Sequence, residues 1–119
     1  MSNLDQRDDE GALPSATVIL ERAAQHQRSR ASTYDQPGGE RSMGRTVRAF
    51  NAATGRDERG IGLTEAEGWL LLQILKDVRL FTRPGYHADS AEDCTSYSAL
   101  KAEAKAREAA GRMTPSEGK

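Results

Sequence analysis

The stretch 64–82 constrains the fold of this chain more than any other sequence feature. Thr64 stands three residues before Glu67, the spacing of a capping box, in which the two residues exchange hydrogen bonds at the start of a helix. The segment that follows, GWLLLQILKDVRLF, is apolar in three directions around a helix axis. These directions are those of Leu70, Ile74 and Val78, of Leu71 and Leu75, and of Trp69 and Leu72. We therefore expect a central apolar helix over about 64–82, surrounded by the other helices.

Three further helices are predicted, over about 15–31, 42–54 and 90–110. Ser15 is a suitable N-cap for the first of them, and Gly55 is a suitable stop for the second. Asp89 or Ser90 would cap the third, and Gly111 would end it. No stretch alternates between polar and apolar residues for long enough to indicate a strand. The predicted fold is all-α, a small helical bundle of about four helices with the apolar helix at its centre.

The two ends of the chain are poorer in apolar residues than its middle. We expect flexible tails at 1–13 and 112–119, because such segments bury too little apolar surface to offset the entropy lost on ordering. A single helical domain is predicted over 14–111. Hydrophobic residues make up 36% and aromatic residues 5% of the 119 residues, so the core is small. Small helical units of this kind often complete their core by oligomerising, which makes a homo-oligomer one expected state.

Charge and composition argue against several classes of function. The 17 basic and 18 acidic residues give a net charge of −1, so general attraction to nucleic acid or to an anionic membrane is not expected. Cys94 is the only cysteine, which excludes an intrachain disulfide and a cysteine-based zinc site. His26 and His87 belong to no metal-binding or catalytic motif, and we expect both at the surface. Neither a signal peptide nor a membrane-spanning run is recognisable, so a cytoplasmic protein without a membrane partner is predicted.

Basic residues that flank the central helix are the candidate ligand-binding groups. Lys76 and Arg79 lie three residues apart and could hold a phosphate, or they could cover the core with their stems while their charges stay in water. The loop TYDQPGGERS could hold an anion together with Arg41 and Arg45, or it could form an ordinary turn. Tyr34 could stack on a base or close the core. The candidate set is therefore Tyr34, Arg41, Arg45, Lys76 and Arg79.

Three acidic residues are the candidate metal ligands, although a metal site is not favoured: Asp77, Glu92 and Asp93. Glu92 and Asp93 lie near the start of the last helix, where carboxylates interact favourably with the helix dipole. Adjacent helical residues point about 100° apart, which argues against both gripping one ion. Either carboxylate could instead form an ion pair with Lys76 or Arg79, and we expect Asp93 to be the inward group.

Several phrases read together resemble a family of small proteins encoded by tailed phages and prophages, over about 18–103. The phrases are STYD at 32–35, GERSM at 39–43, TVRAFN at 46–51, LTEAEGW at 63–69, LKDVR at 75–79, and DSAED at 89–93 with Tyr97, Ala99 and Leu100 after it. Some members of the family are labelled phosphofructokinase. A sugar kinase of that type needs a much longer chain and a Gly-rich nucleotide site, so that activity is rejected here.

The family is also similar to the helical nucleoside-triphosphate pyrophosphohydrolases. That resemblance implies magnesium held by a Glu-x-x-Glu pair on one helix and a Glu-x-x-Asp pair on a later one. This chain departs from the pattern, because Arg41, Arg45 and Arg48 stand where the first pair would be. Glu92 and Asp93 are adjacent rather than three residues apart. A basic helix in place of an acidic one suits direct phosphate binding better than binding through a metal.

Three functions remain open at this point. The leading hypothesis is a phage or prophage accessory protein in the host cytoplasm that binds a nucleotide or another phosphorylated small molecule, which it could sequester or hydrolyse, with no cofactor expected. The alternative is a protein-interaction module that acts on a host protein without a small-molecule site, in which Lys76 and Asp93 would form a structural ion pair. The third is a magnesium-dependent nucleotide pyrophosphohydrolase that uses Asp77, Glu92 and Asp93.

Overall fold

The computed structural model describes residues 13–34 and 42–112, and these form four helices without a strand. The helices are α1 (Ala16–Tyr34), α2 (Ser42–Thr54), α3 (Glu65–Thr82) and α4 (Ala88–Arg112). The prediction of an all-α bundle of about four helices is confirmed. The predicted flexible tails lie almost entirely outside the described residues, as does Arg41. Within the described ranges, no helix is long and apolar enough to cross a membrane.

Helices α3 and α4 form an antiparallel hairpin that contains most of the core. Trp69 is only 2% exposed and lies in one cluster with Leu100 and Ala104. Its ring stacks on Tyr97, with 5.4 Å between the ring centroids. Polar side chains close the rim of the same interface, where Lys101 Nζ donates to Gln73 Oε1 at 2.9 Å. The hairpin therefore joins an aromatic centre to a hydrogen-bonded edge.

Helix α2 packs against the first half of α3 at Gly68, through two buried side chains, Met43 and Val47. A Cβ atom on Gly68 would lie 2.5 Å from Met43 Sδ and 2.9 Å from Val47 Cγ1, so this approach requires glycine. The turn between the helices is held by Asn51, whose side-chain amide accepts from Leu63 N at 2.9 Å and donates to Leu63 O at 3.0 Å. The lack of a side chain at Gly68 and the two hydrogen bonds of the Asn51 amide thus fix the position of α2.

Most helix ends follow the local signals in the sequence. The capping box is confirmed, with Glu67 N donating to Thr64 Oγ1 and Thr64 N donating to Glu67 Oε1. Gly55 adopts a positive φ of 74°, and hydrogen bonds from Gly55 N to Ala52 O and from Arg56 N to Asn51 O complete the terminal turn of α2. The stop predicted at Gly55 is therefore confirmed.

Three predicted ends were wrong. Helix α1 continues past residue 31 to Tyr34, because the Ser32 and Thr33 hydroxyls donate to Ser29 O within the helix instead of opening a loop. Helix α4 begins at Ala88, so neither Asp89 nor Ser90 is the cap. Ser90 is completely buried and its hydroxyl hydrogen-bonds to the His87 ring. Helix α4 also continues through Gly111 to Arg112.

Helix α3 is covered on the side of Trp69 but not on its other two apolar sides. Helix α1 packs on α4, so it leaves the far side of α3 open. Six large apolar side chains of α3 are 41–82% exposed, in contrast to the expectation that other helices surround it. We call them the outer face of α3, and they are Leu70, Leu71, Ile74, Leu75, Val78 and Phe81.

Candidate functional site

Two adjacent carboxylates lie buried near the start of α4. Glu92 and Asp93 are each only 7% exposed. The residues around them on α4 are small, with Ser90, Ala91 and Ser96 also buried, and this allows α1 to approach closely. A buried carboxylate is costly unless cations and hydrogen-bond donors compensate it. Helices α1 and α3 supply such groups here, as described below.

Asp93 lies between a lysine of α3 and an arginine of α1. Lys76 Nζ is 2.9 Å from Asp93 Oδ2, and Arg30 Nη2 is 3.4 Å from Asp93 Oδ1. The Lys76 side chain is only 12% exposed, so this is a largely dry ion pair rather than a surface contact. The interpretation of Asp93 as an inward ion-pair partner of Lys76 agrees with this geometry.

Glu92 turns toward α1 instead. His26 Nε2 lies 2.8 Å from Glu92 Oε1, and Arg22 Nη1 lies 3.8 Å from Glu92 Oε2. Both carboxylates are therefore inward, and they have different partners, as the angle between neighbouring helical residues requires. His26 is partly at the surface as expected, with its side chain 40% exposed, but it also contacts the buried Glu92 carboxylate. We call Arg22, His26, Arg30, Lys76, Glu92 and Asp93 the charge cluster.

One spacing pattern in the sequence indicates this cluster, although neither the composition nor a known motif reveals it. Arg22, His26 and Arg30 recur at intervals of four, which places them on one stripe of α1. That stripe is polar along its length, and an isolated helix would present it to water. Its role becomes visible only when two buried carboxylates of α4 pack against it.

An aromatic column connects the charge cluster to the core. The Arg30 guanidinium lies over the Tyr97 ring at 5.7 Å from the centroid, and Tyr97 in turn stacks on Trp69. A planar guanidinium on an aromatic face combines cation–π attraction with a defined orientation. The column therefore restricts where Arg30 can point and links its position to the packing of α3 and α4.

A cleft of about 290 Å³ opens beside the cluster and is lined by His26, Ser29, Arg30 and Thr33. Its lining combines an imidazole, a guanidinium and two hydroxyl groups, all of which can donate hydrogen bonds to an anion. The cleft lies on the C-terminal half of α1, the end that leads into residues 35–41. Its volume is close to the lower end of the range for small-molecule pockets.

The three candidate metal ligands do not converge. Glu92 and Asp93 are held by separate cations, and Asp77 accepts a hydrogen bond from Cys94 Sγ at 2.9 Å. Burial, reinforced by the Asp77 carboxylate, raises the pKa of the Cys94 thiol to about 11. In the part of the chain that the structure describes, no group of three or more His, Cys, Asp or Glu side chains is placed to hold a metal ion.

The predicted ligand-binding residues are dispersed, so far as the structure describes them. Lys76 belongs to the charge cluster, whereas Arg45 and Arg79 are exposed on α2 and α3. Helix α2 packs at Gly68 and Arg79 lies 11 residues further along α3, roughly 16 Å away at 1.5 Å per residue. Tyr34 is the last residue of α1 and its side chain is not described. Arg41 lies outside the described residues, so its part in an anion site stays a prediction.

Fold and site together define a class: a small all-α bundle with a buried, mixed-charge cluster that opens onto a polar cleft. No protein-family model, curated protein or solved structure matches this chain. The geometry of the cluster and its cleft is therefore the basis for any more specific function.

Proposed function

We propose that this chain is a phage or prophage accessory protein that binds a nucleotide or another phosphorylated small molecule in the α1 cleft. The phage setting rests on the sequence resemblance described above. The binding site rests on one observation: Arg30 and His26 line an open cleft while buried carboxylates hold both side chains in place. This site retains the predicted ligand chemistry but moves its centre from Arg79 to Arg30.

The net charge of the cluster favours the binding of an anion. Arg22, Arg30 and Lys76 carry three permanent positive charges against the two negative charges of Glu92 and Asp93, which leaves one positive charge in excess. A cation would have to displace Lys76 or Arg30 from the buried carboxylates. A phosphate can instead approach from the cleft and accept hydrogen bonds from the Arg30 fork, which is suited to two parallel bonds.

The cost of the cluster supports a functional role. Burying two carboxylates with their partners contributes little net stability, and apolar side chains of similar volume would often serve the bundle as well or better. Buried ion pairs beside a cleft therefore support a binding role better than a purely stabilising one. In this reading, Glu92 and Asp93 position His26 and Arg30, and the aromatic column through Tyr97 keeps the guanidinium at the cleft.

Thermal unfolding in the presence of inorganic phosphate, nucleoside mono-, di- and triphosphates and sugar phosphates tests this function. A ligand at 100 times its dissociation constant stabilises the folded state by about 2.7 kcal/mol, which a domain of this size shows as a shift of several degrees. We expect a ligand-specific shift without a divalent metal. A shift that requires Mg²⁺ would instead favour the pyrophosphohydrolase alternative.

Arg30→Ala should weaken binding by roughly tenfold to a hundredfold, since a hydrogen bond to a charged group contributes about 1.5–3 kcal/mol. Arg28→Ala is the matched control, because Arg28 is an exposed arginine of the same helix that contacts Gln25. The protein-interaction alternative predicts a flat ligand panel and a loss of stability alone for Arg30→Ala. Equal binding losses in the two variants would also contradict the proposed site.

A further inference from the structure

The outer face of α3 is an unusually large exposed apolar surface for so small a chain. Its six side chains follow one another at intervals of one to three residues along the helix, and Phe81 is the most exposed of them at 82%. If a fully exposed large apolar residue presents about 200 Å², the six together expose roughly 600 Å². That is at the upper end of what monomeric proteins leave uncovered, and such patches commonly mark an interface.

We propose that two copies of this chain pair through the outer face of α3, with the two α3 helices antiparallel about a two-fold axis. The residues outside 13–34 and 42–112 carry only four apolar side chains, those of Met1, Leu4, Ala12 and Met113, which are too few to cover the face. Between Leu70 and Phe81 the outer face is apolar, with the charge of Glu67 at its N-terminal end, so it can pack against a second copy of itself, as a two-fold interface requires. About 600 Å² per copy approaches the roughly 800 Å² per partner of a standard interface.

The register follows from the positions of the apolar residues. An axis between Ile74 and Leu75 sets Ile74 against Leu75 of the second copy and Leu71 against Val78 of the second copy. The same axis sets Phe81 against Gly68 of the second copy, since the two residues are equally far from the centre. The apolar contacts therefore run from Leu71 to Val78, while Leu70 lies opposite Arg79 of the second copy at the edge of the interface.

The position opposite Phe81 is a preformed apolar pocket. Gly68 lies in a pocket of about 160 Å³ whose other walls include Met43, Val47 and Phe50 of α2. A dry apolar cavity of about 150 Å³ holds one benzene molecule, so this pocket suits a phenyl ring. Phe81 of the second copy would fill it. Leu71 of the outer face also lines this pocket, so the pocket adjoins that face.

Charge decides between the antiparallel and parallel arrangements. The first turn of α3 carries Glu65 and Glu67, and its last turn carries Arg79 with Arg83 directly after it. Antiparallel pairing sets the acidic end of one helix beside the basic end of the other, whereas parallel pairing sets like charges together. The opposed helix dipoles act in the same direction.

The molar mass of the full chain in solution, from sedimentation equilibrium, tests the pairing. We expect wild type at twice 13.0 kDa and Phe81→Asp at 13.0 kDa with unchanged helical circular dichroism. Phe81→Ala should weaken dimerisation by roughly tenfold or more, because truncation of an aromatic anchor commonly costs that much. Leu20→Asp is the control, since Leu20 is 59% exposed on α1 and should dimerise like wild type.

Cross-linking tests the register separately in a Cys94→Ser background. Ile74→Cys should form a disulfide-linked dimer on mild oxidation, because the two residues lie beside the axis. Phe81→Cys should not, because the two copies of residue 81 would be roughly 20 Å apart along the helices. Cross-linking of both variants would show a parallel pair and overturn the register. A wild-type monomer at all concentrations would overturn the proposal and leave the face to a different protein.

Discussion

The charge cluster and the outer face of α3 distribute polarity in opposite ways. The cluster buries two carboxylates, whereas the outer face exposes six large apolar side chains, and α3 contributes to both. Neither arrangement favours the stability of an isolated bundle, because buried charge and exposed apolar surface both cost free energy. The proposed ligand binding would use the first arrangement, and the proposed self-association would use the second.

The largest expected effect tests whether the buried side of this contrast depends on paired charges. Asp93→Ala leaves Lys76 and Arg30 buried without their carboxylate, so we expect the free energy of unfolding to fall by about 3–5 kcal/mol. Asp89→Ala is the matched control, because Asp89 is an exposed carboxylate in the first turn of the same helix. It should cost about 0.3–1 kcal/mol through the helix dipole. Urea unfolding measures both, and equal losses would break the comparison.

A smaller effect concerns the pocket beneath the outer face. Gly68→Ala adds a methyl group that must displace Met43 or Val47, and we expect a loss of about 1–3 kcal/mol from overpacking. Gly44→Ala, on the facing helix α2, meets no atom closer than 3.4 Å and should instead stabilise by about 0.5–1 kcal/mol through helix propensity. Thermal unfolding distinguishes the two. A stabilising Gly68→Ala would show that α2 does not pack here as described.

Cys94 reports on the interior beside the charge cluster. Its pKa is raised to about 11, first by burial and then by the Asp77 carboxylate, which disfavours a second negative charge. Since the thiolate is the reactive form, labelling by a thiol reagent at neutral pH should be much slower in the folded protein than in denaturant. Asp77→Asn removes the negative neighbour, lowers the pKa and should speed labelling of the folded protein. An unchanged rate would mean that burial acts alone.

The smallest effect sharpens the contrast along α4 itself. Arg107 forms ion pairs with Glu65 at 2.9 Å and Glu103 at 3.5 Å, but its side chain is 35% exposed. Arg107→Ala should therefore cost only about 0.2–1 kcal/mol, far less than Asp93→Ala near the other end of the helix. Urea unfolding at low and high salt measures the difference. A loss of stability as large as that of Asp93→Ala would mean that solvent exposure does not determine how much these two groups of ion pairs contribute.

Local sequence signals predicted the helices well but predicted little of the charge cluster. The Thr64–Glu67 capping box and the Gly55 stop are short-range hydrogen-bond patterns, and the structure contains both. The sequence predicts the pairing of Lys76 with Asp93 as one of its alternatives, because both residues are charged groups near apolar stripes. The part played by His26 was not predicted, because its partner Glu92 is 66 residues away in sequence.

By itself, the sequence determined that this chain is helical, where its clearest helices begin and end, and that α3 is apolar on most of its circumference. These properties depend on residues within one or two helical turns of one another. Only the tertiary structure decided that Trp69 faces the core while Ile74 and Phe81 face outward, and that Glu92 and Asp93 are both buried against cations. A helix that is apolar on several sides gives no local preference among them. The buried side of α3 is set by the neighbouring helices, because α2 and α4 can cover only part of its circumference.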